Sequence, residues 1–239
     1  METLDQVRTD FLNITATRYL SAAGLVIMLY DHLLTLDDEV EYVWKAKWSL
    51  PKTLFLVLRY MVPSAMIMYT YELSGIGEIH LSDTFCRGWF GSGLYLGIFS
   101  VSIGNFIVLL RLWVIWDRNI RLLLVTLSVF IATQIMTLAA TTYMVVHWIP
   151  EVIFVEELHM CGMVAKPPLV MLWAPGLFFE VMVFVLASWN ALSRPSIACP
   201  VARSVYRDGL GYFVLLATLR VLNLILSVVA PLSLMFLGI

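Results

Sequence analysis

Four charged side chains lie inside apolar stretches of this sequence, where a charge is costly. Asp31 and Arg59 fall in the first and second stretches, and Glu180 and Arg220 fall in the fifth and sixth. Charges inside a membrane are usually paired, face the interior of a helix bundle and are often functional. Two kinds of chemistry are open to such acids. Burial favours the protonated form of a carboxyl group, which could protonate an apolar substrate, and a neighbouring guanidinium group could pair with it instead.

The depth of these residues predicts two ion pairs. Glu180 and Arg220 lie near the middle of consecutive stretches, which as antiparallel helices would bring them to a similar level at 1.5 Å per residue. Asp31 and Arg59 lie toward the same end of the first two stretches. Each pair could line a pocket or only fix which helices pack. The sequence leaves both roles open, with the structural role favoured for Asp31 and Arg59.

No other chemistry is indicated. The sequence contains no nucleophile motif, no phosphate-binding loop and no His/Cys cluster at metal-ligand spacing. We therefore predict no catalytic residue, no metal and no cofactor. A net charge of −2 gives no reason to expect a nucleic-acid partner.

The composition predicts an all-α, polytopic transmembrane helical bundle. Of the 239 residues, 61% are hydrophobic and 13% are charged, about half the charge of a soluble domain. A bilayer core of about 30 Å needs roughly 20 helical residues. Six stretches qualify as spans, which gives a short extracytoplasmic tail at 1–18 and a single transmembrane domain at 19–239: Tyr19–Leu36, Thr53–Tyr71, Trp89–Trp116, Leu122–Trp148, Pro167–Asn190 and Gly209–Ala230. No basic region precedes the first stretch as in a signal peptide, so we expect it to remain as an anchor.

Basic residues predict the orientation. Lys and Arg in short loops mark the cytoplasmic face. Nine of them fall at loops 37–52, 117–121 and 191–208 or at the helix ends beside them, against four on the opposite side. The N-terminus is therefore predicted outside, in the plasma membrane or another membrane of the secretory pathway.

Two further signals fall on the predicted outer side. Cys86 and Cys161 both lie there, and we predict a disulfide between them because that side is oxidising. Cys199 lies on the inner side and is predicted to be a free thiol. Asn13 begins the sequon Asn-Ile-Thr, which makes it a candidate glycosylation site close to the first span.

The segment after the first span predicts a short helix on the inner membrane surface. Apolar residues recur at helical spacing, with acids before and lysines after, and tryptophan prefers the interface. The apolar positions are Val40, Val43, Trp44 and Trp48. The helix could be a docking site for a cytosolic partner or an anchoring elbow.

The stretch from Tyr30 to Pro63 resembles the signature of a large, functionally uncharacterised family of multi-spanning membrane proteins of mushroom-forming fungi. The matching residues are Tyr30, Asp31, Leu33, Leu34, Thr35 and Leu36; Glu39 and Val40; Trp44, Trp48 and Ser49; Lys52, Leu54, Phe55 and Leu56; and Arg59 and Tyr60. The resemblance implies a membrane bundle and no particular activity. It also implies a seventh span, whereas this sequence supplies six.

Three functional interpretations remain open. The first is a receptor-like sensor with membrane lipids, an apolar small molecule and a cytosolic partner at the basic inner loops as its partners. A bridge from Cys86 to Cys161 resembles that of G-protein-coupled receptors, and Asp117-Arg118-Asn119 superficially resembles their Asp-Arg-Tyr triplet. The second is a membrane enzyme acting on an isoprenoid-like substrate, since fungal terpene cyclases are similar in size and number of spans. The third is a scaffold without catalysis.

Overall fold

The protein is almost entirely helical in its computed structural model, which describes residues 2–74, 82–156, 160–163, 166–193 and 200–229. The helices are α1 (Glu2–Leu34), α2 (Leu36–Asp38), a π-helical turn (Glu39–Trp44), α3 (Leu50–Ser74), α4 (Asp83–Ile115), α5 (Ile120–His147), a 3-10 turn (Ile149–Glu151), α6 (Val170–Ser193) and α7 (Pro200–Val229). Strands β1 (Val152–Val155) and β2 (Met160–Met163) form the one small sheet of the described residues. The predicted all-α class is confirmed.

Five helices of the described residues are long and apolar enough to cross a membrane: Phe11–Leu34, Leu50–Ser74, Asp83–Val114, Ile120–Glu151 and Val170–Asn190. The sixth predicted span lies in α7, whose apolar window is shorter, Ala217–Leu226. A count of six spans therefore stays a prediction. The first span begins earlier than predicted, because α1 already runs through the N-terminal tail and turns apolar at Phe11.

The faces of these helices suit lipid rather than water. Ile27 in α1, Ile135 in α5 and Phe178 in α6 are each more than 60% exposed near the middle of an apolar helix. Soluble proteins rarely expose so much apolar surface. The chain is therefore an integral membrane protein with several transmembrane helices.

The chain divides into two compact units. The first comprises 1–100, 145–167 and 230–239, and the second comprises 101–144 and 168–229. In the first unit α1 packs against α3. Ser49 caps α3, since its Oγ accepts a hydrogen bond from the Lys52 amide at 3.4 Å, and Pro51 occupies the first turn, where it needs no amide hydrogen.

A β-hairpin in the first unit follows α5, where the sequence predicted only a loop. Strands β1 and β2 are antiparallel, with Val152 opposite Met163 and Phe154 opposite Cys161. The β-branched residues of β1 suit an extended backbone. A Cβ at Gly162 would meet Val155 Cγ2 at 3.1 Å, so a larger residue here would require the Val155 side chain to shift.

The second unit has its own apolar core. Val108, Leu109 and Leu112 of α4 pack with Phe179, Val183 and Ala187 of α6, and all six are buried. Rings link three helices at one level: Phe130 of α5 lies 5.8 Å from Phe106 and 5.4 Å from Phe179 between centroids. Helices α6 and α7 also pack together.

Candidate functional site

Glu180 and Arg220 meet in the second unit. Arg220 Nε lies 3.0 Å from Glu180 Oε1, with the two side chains 16% and 7% exposed. The guanidinium carbon also lies 5.3 Å from the ring centroid of Trp173, within cation–π range. Trp173 and Glu180 are seven residues apart on α6 and so share a face of that helix. We call these three residues the Glu180 site.

The core of the second unit positions this site. Glu180, Val183 and Ala187 follow one stripe of α6, and all three are buried. Asn105 and Leu109 follow the corresponding stripe of α4, where Asn105 is 4% exposed. Phe130 of α5 contacts Phe106 and Phe179, which are the sequence neighbours of Asn105 and Glu180. Two buried polar side chains thus lie on the helix faces that form the apolar core.

Both side chains keep unused hydrogen-bonding capacity. Among the described residues, Glu180 Oε2 and Asn105 Nδ2 are buried and have no hydrogen-bond partner. An acceptor and a donor left in this way each cost about 1–3 kcal/mol. A hydrogen-bonding group placed beside either atom would remove the cost at that atom.

Arg59 has a different principal partner from the one predicted. Its Nε lies 3.0 Å from Glu39 Oε2, and the Glu39 side chain is 2% exposed. Asp31 lies farther away, with Oδ2 3.8 Å from Arg59 Nη1, and its side chain is 69% exposed. The predicted contact with Asp31 therefore exists as a second, longer contact at an exposed side chain, and Glu39 is the buried counter-ion.

Glu39 accepts three hydrogen bonds. Trp44 Nε1 and Tyr60 Oη donate to its Oε1 at 2.9 and 2.7 Å, and Arg59 Nε donates to its Oε2. Burial raises the pKa of the Glu39 carboxyl, but the hydrogen bonds from Tyr60, Trp44 and Arg59, with the Arg59 charge, outweigh burial and leave that pKa below its ordinary value. We call Glu39, Trp44, Arg59 and Tyr60 the Glu39 cluster.

Further bonds attach this cluster to the end of α1. Arg59 Nη2 donates to the His32 carbonyl at 3.0 Å and also to Thr35 Oγ1. The His32 ring packs edge-on against Tyr60 with centroids 5.5 Å apart. The π-helical turn, α1 and α3 are therefore joined at one point.

The segment after the π-helical turn is held by Lys52. Its Nζ donates to the carbonyls of Trp44 and Ala46 at 3.0 and 2.7 Å and lies 4.6 Å from the centroid of the Trp48 ring. The predicted surface helix is thus shorter than expected. It ends at Trp44, and Trp48 lies beyond it.

Cys86 and Cys161 form a disulfide at the other end of α3. It joins the start of α4 to β2, and both cysteines are buried. Glu72 Oε1 accepts a hydrogen bond from the Cys161 amide at 2.9 Å, so β2 is attached to α3 as well. Asp83 Oδ1 accepts one from the Phe154 amide at 2.9 Å, which fixes β1 against α4.

The receptor-like triplet is a tight turn. Asp117 and Arg118 have φ values of 52° and 58°, so α4 ends before them in the left-handed manner common at helix C-termini. Asn119 Oδ1 then accepts from the Arg121 amide at 3.0 Å and caps α5. The backbone accounts for these three residues, and the likeness to a receptor triplet carries no further weight.

Asn13 lies within helix α1 and inside the apolar window that begins at Phe11. Its carbonyl accepts a hydrogen bond from Thr17 Oγ1 at 3.0 Å. Glycosylation acceptors lie in surface loops, so this conformation weighs against the site, which stays a prediction. Cys199 and Arg194 fall outside the described residues, as do the side chains of Arg203 and Arg207.

Glu39, Tyr60 and Trp173 belong to these sites although the sequence pattern assigned none of them to one. The acids at 37–41, which include Glu39, predict the start of a helix on the membrane surface. Trp173 could have been found from its seven-residue spacing to Glu180. The position of Glu39 depends on the π-helical turn, for which the sequence offered no signal.

Comparison with known proteins gives one match. Residues 19–64 match the model of a family of unknown function, DUF6533, and this stretch contains every residue of the Glu39 cluster. The fungal source implied by the resemblance stays a prediction. No curated protein and no solved structure matches the chain. In its first helical hairpin, this membrane protein is therefore similar to a family to which no activity is assigned.

Proposed function

We propose that this protein is a receptor-like membrane sensor, with its N-terminus outside, that takes a small apolar ligand at the Glu180 site. The observation that carries the proposal is the unused Oε2 of Glu180, which is buried beside an ion pair in an apolar core. Charged groups at such a depth mark ligand and ion pathways in many membrane proteins.

A purely structural ion pair accounts for the site less well. A bundle that needed the pair only for packing would gain from satisfying both oxygens, because a buried acceptor without a partner is costly. The Nε of Arg220 contacts only one of the two carboxylate oxygens, Oε1. The remaining oxygen supports a role in recognition.

The proposed orientation is supported by chemistry at the two ends of α3. The disulfide, which persists in an oxidising compartment, lies near the Glu72 end. The Glu39 cluster and Lys52 lie near the other end. Arg59 and Glu72 are thirteen residues apart, about 20 Å along a helix, so the oxidised end and the basic end belong to opposite faces. The basic inner loops would then meet lipid headgroups or a cytosolic partner.

The enzyme interpretation is supported less well. An acid that protonates an apolar substrate needs a pocket that encloses the substrate, and the Asp31 side chain is 69% exposed. Glu180 is buried, but a protonated Glu180 would lose its ion pair with Arg220. We therefore do not assign either residue as a proton donor.

Ligand-dependent motion of an inner loop tests the proposal. The full chain would carry Arg121→Cys in a Cys199→Ser background and be reconstituted in nanodiscs of saturated phosphatidylcholine. We expect 1-dodecanol or cholesterol to raise the melting temperature and to change the labelling rate of that cysteine by a thiol-reactive dye. A matched protein that also carries Glu180→Leu and Arg220→Leu should show neither effect.

The outcomes separate the functions. Binding without a change in labelling would leave a lipid-binding scaffold, contrary to a sensor. Formation of a product from isoprenoid substrates by the purified protein would establish the enzyme instead.

A further inference from the structure

We infer that the turn between α4 and α5 binds the headgroups of acidic phospholipids through Arg118 and Arg121. The inference rests on the proposed orientation, which puts this turn at the cytosolic leaflet, and it is independent of the Glu180 site. It assigns this loop to lipid rather than to a cytosolic protein.

The turn lies at the level of the headgroups. The apolar span in α4 ends at Val114 and the next span begins at Ile120, so five residues connect them. A connection this short stays at the surface of the bilayer, because both of its ends are ends of membrane spans. Arg118 lies within the connection, and Arg121 is in the first turn of α5. Both residues are therefore at the depth of lipid phosphates.

The end of α4 places Arg118 beside Trp113. The Arg118 amide donates to the Trp113 carbonyl at 3.0 Å, and the Asp117 amide donates to the Val114 carbonyl at 3.2 Å. With Asp117 in the left-handed region, these are the two hydrogen bonds of a Schellman motif, which brings the residues at its ends into contact. The guanidinium carbon of Arg118 lies 6.0 Å from the centroid of the Trp113 ring, at the limit of cation–π range. A guanidinium group held over a ring keeps its N–H donors, because they lie along its edge.

Both arginines are exposed and uncommitted. Their side chains form no ion pair and no hydrogen bond with the residues that the structure describes. Arg59 and Arg220, by contrast, each bind a buried carboxylate. The stretch 111–121 contains three arginines and one aspartate, hence a net charge of +2. The turn therefore offers positive charge and unused N–H donors.

An acidic phospholipid is complementary to these groups. Guanidinium groups bind phosphate oxygens through paired hydrogen bonds. Phosphatidylcholine also has a phosphate, but its choline cancels the charge, whereas phosphatidylserine keeps a net negative charge. Such acidic lipids are characteristic of the cytoplasmic leaflet, where each basic residue near the surface contributes about a fivefold preference for them. The acyl chains keep the lipid beside the two apolar helix ends, which a soluble anion lacks.

Lipid retention tests the inference. The full chain is reconstituted in nanodiscs of equal parts phosphatidylcholine and phosphatidylserine and released by detergent, and native mass spectrometry counts the lipids that stay bound. We expect about tenfold more phosphatidylserine than phosphatidylcholine at low ionic strength, and a smaller ratio as salt screens the arginines. An excess of glycerophosphoserine, the same headgroup without acyl chains, should not displace the lipid.

Three variants locate the effect. Arg118→Gln combined with Arg121→Gln should lower the ratio about fivefold or more, and the exposed positions of both residues let this protein fold. Arg118→Lys keeps the charge but loses the planar fork, so its ratio should lie between the two. Arg87→Gln is the matched control at the other end of α4. Arg87 is also exposed, but its Nε donates to the Val152 carbonyl at 3.3 Å, and its loss should leave the ratio unchanged.

An unchanged ratio in the double glutamine variant would overturn the inference, as would an equal loss in Arg87→Gln, which would show only a general effect of surface charge. Displacement by glycerophosphoserine would mean a site for soluble anions. No preference in the unmodified protein, together with binding of a soluble polyglutamate peptide that the double variant abolishes, would assign the turn to an acidic protein partner instead. None of these results alters the test of the Glu180 site, which has its own ligands and readout.

Discussion

Trp44 and Tyr60 donate hydrogen bonds to the same oxygen of Glu39, although Trp44 belongs to the connector between two spans and Tyr60 to the second span. The two distances are 2.9 and 2.7 Å, and the rings meet edge-on with centroids 6.4 Å apart. The other Glu39 oxygen binds Arg59. One buried carboxylate therefore joins the connector between α1 and α3 to α3 itself.

Replacing Glu39 should destabilise the protein more than replacing Asp31. Glu39→Gln removes the buried charge opposite Arg59, and we expect a loss of about 2–3 kcal/mol. Asp31→Asn alters a longer contact, 3.8 Å, at an exposed side chain and should cost about 0.5 kcal/mol or less. Thermal unfolding in detergent measures both. Equal losses would show that Asp31 and Glu39 share the role of counter-ion.

The Glu39 cluster should make stability depend on acid. The folded pKa of Glu39 lies below its ordinary value of 4.5, so the ionised carboxylate stabilises the fold above that pH. This contribution is lost as the pH falls through the folded pKa. The difference in melting temperature between the unmodified protein and Glu39→Gln should therefore shrink between pH 6 and pH 3. A difference that stays constant with pH would contradict the shift.

Glu180 and Arg220 should behave as a coupled pair. Glu180→Leu or Arg220→Leu alone strands the other charge, and we expect each to cost about 3–5 kcal/mol. The double substitution should recover much of the loss, because two leucines replace the pair with apolar contacts. Thermal stability of all three variants measures the coupling. Strictly additive losses would be inconsistent with the contact.

The disulfide predicts a simple pattern of thiol reactivity. Alkylation of the unreduced protein should modify Cys199 and leave Cys86 and Cys161 unmodified, as peptide mapping by mass spectrometry would show. Cys86→Ser should lower stability, by about 2–5 kcal/mol if the effect in small secreted domains applies. Alkylation of Cys86 before reduction would rule out the bridge.

Labelling from outside intact cells tests the orientation. Single cysteines placed in loops 37–52, 117–121 and 191–208, in a Cys199→Ser background, should resist a membrane-impermeant maleimide because these loops are predicted to be cytosolic. Glu151→Cys, at an exposed position just after α5, should react as the outer control. Reversal of this pattern would invert the topology.

Long apolar runs made most of the fold predictable. The length and apolar composition of a stretch suffice to locate a membrane helix. The spans in α3, α4, α5 and α6 each lie within a few residues of their predicted bounds. The hairpin of β1 and β2 was missed because two four-residue strands between apolar helices leave no periodic signal. The strands approach closely at Gly162 and are joined to α4 by the disulfide, and neither feature appears in a hydrophobic pattern.

The candidate ion pairs could be predicted where the depth of each residue along its span determines its partner. Matched depth is enough to suggest Glu180 for Arg220, which the structure places in contact. Matched depth also suggests Asp31 for Arg59. It does not predict that the segment between α1 and α3 folds back toward Arg59. The π-helical turn brings Glu39 under Arg59, and such local backbone geometry is not encoded in hydrophobic patterns.

The bridge between Cys86 and Cys161 also sets an order of events during synthesis. The cysteines are 75 residues apart, and most of α4 and all of α5 lie between them. At roughly 5–20 residues per second, a ribosome needs about 4–15 s to make that stretch. Cys86 must stay unpaired for this interval, and β2 can be locked only after α5 has crossed the membrane. Formation of the bridge therefore marks a chain in which both helices between the cysteines have been made and the β-hairpin has reached the start of α4.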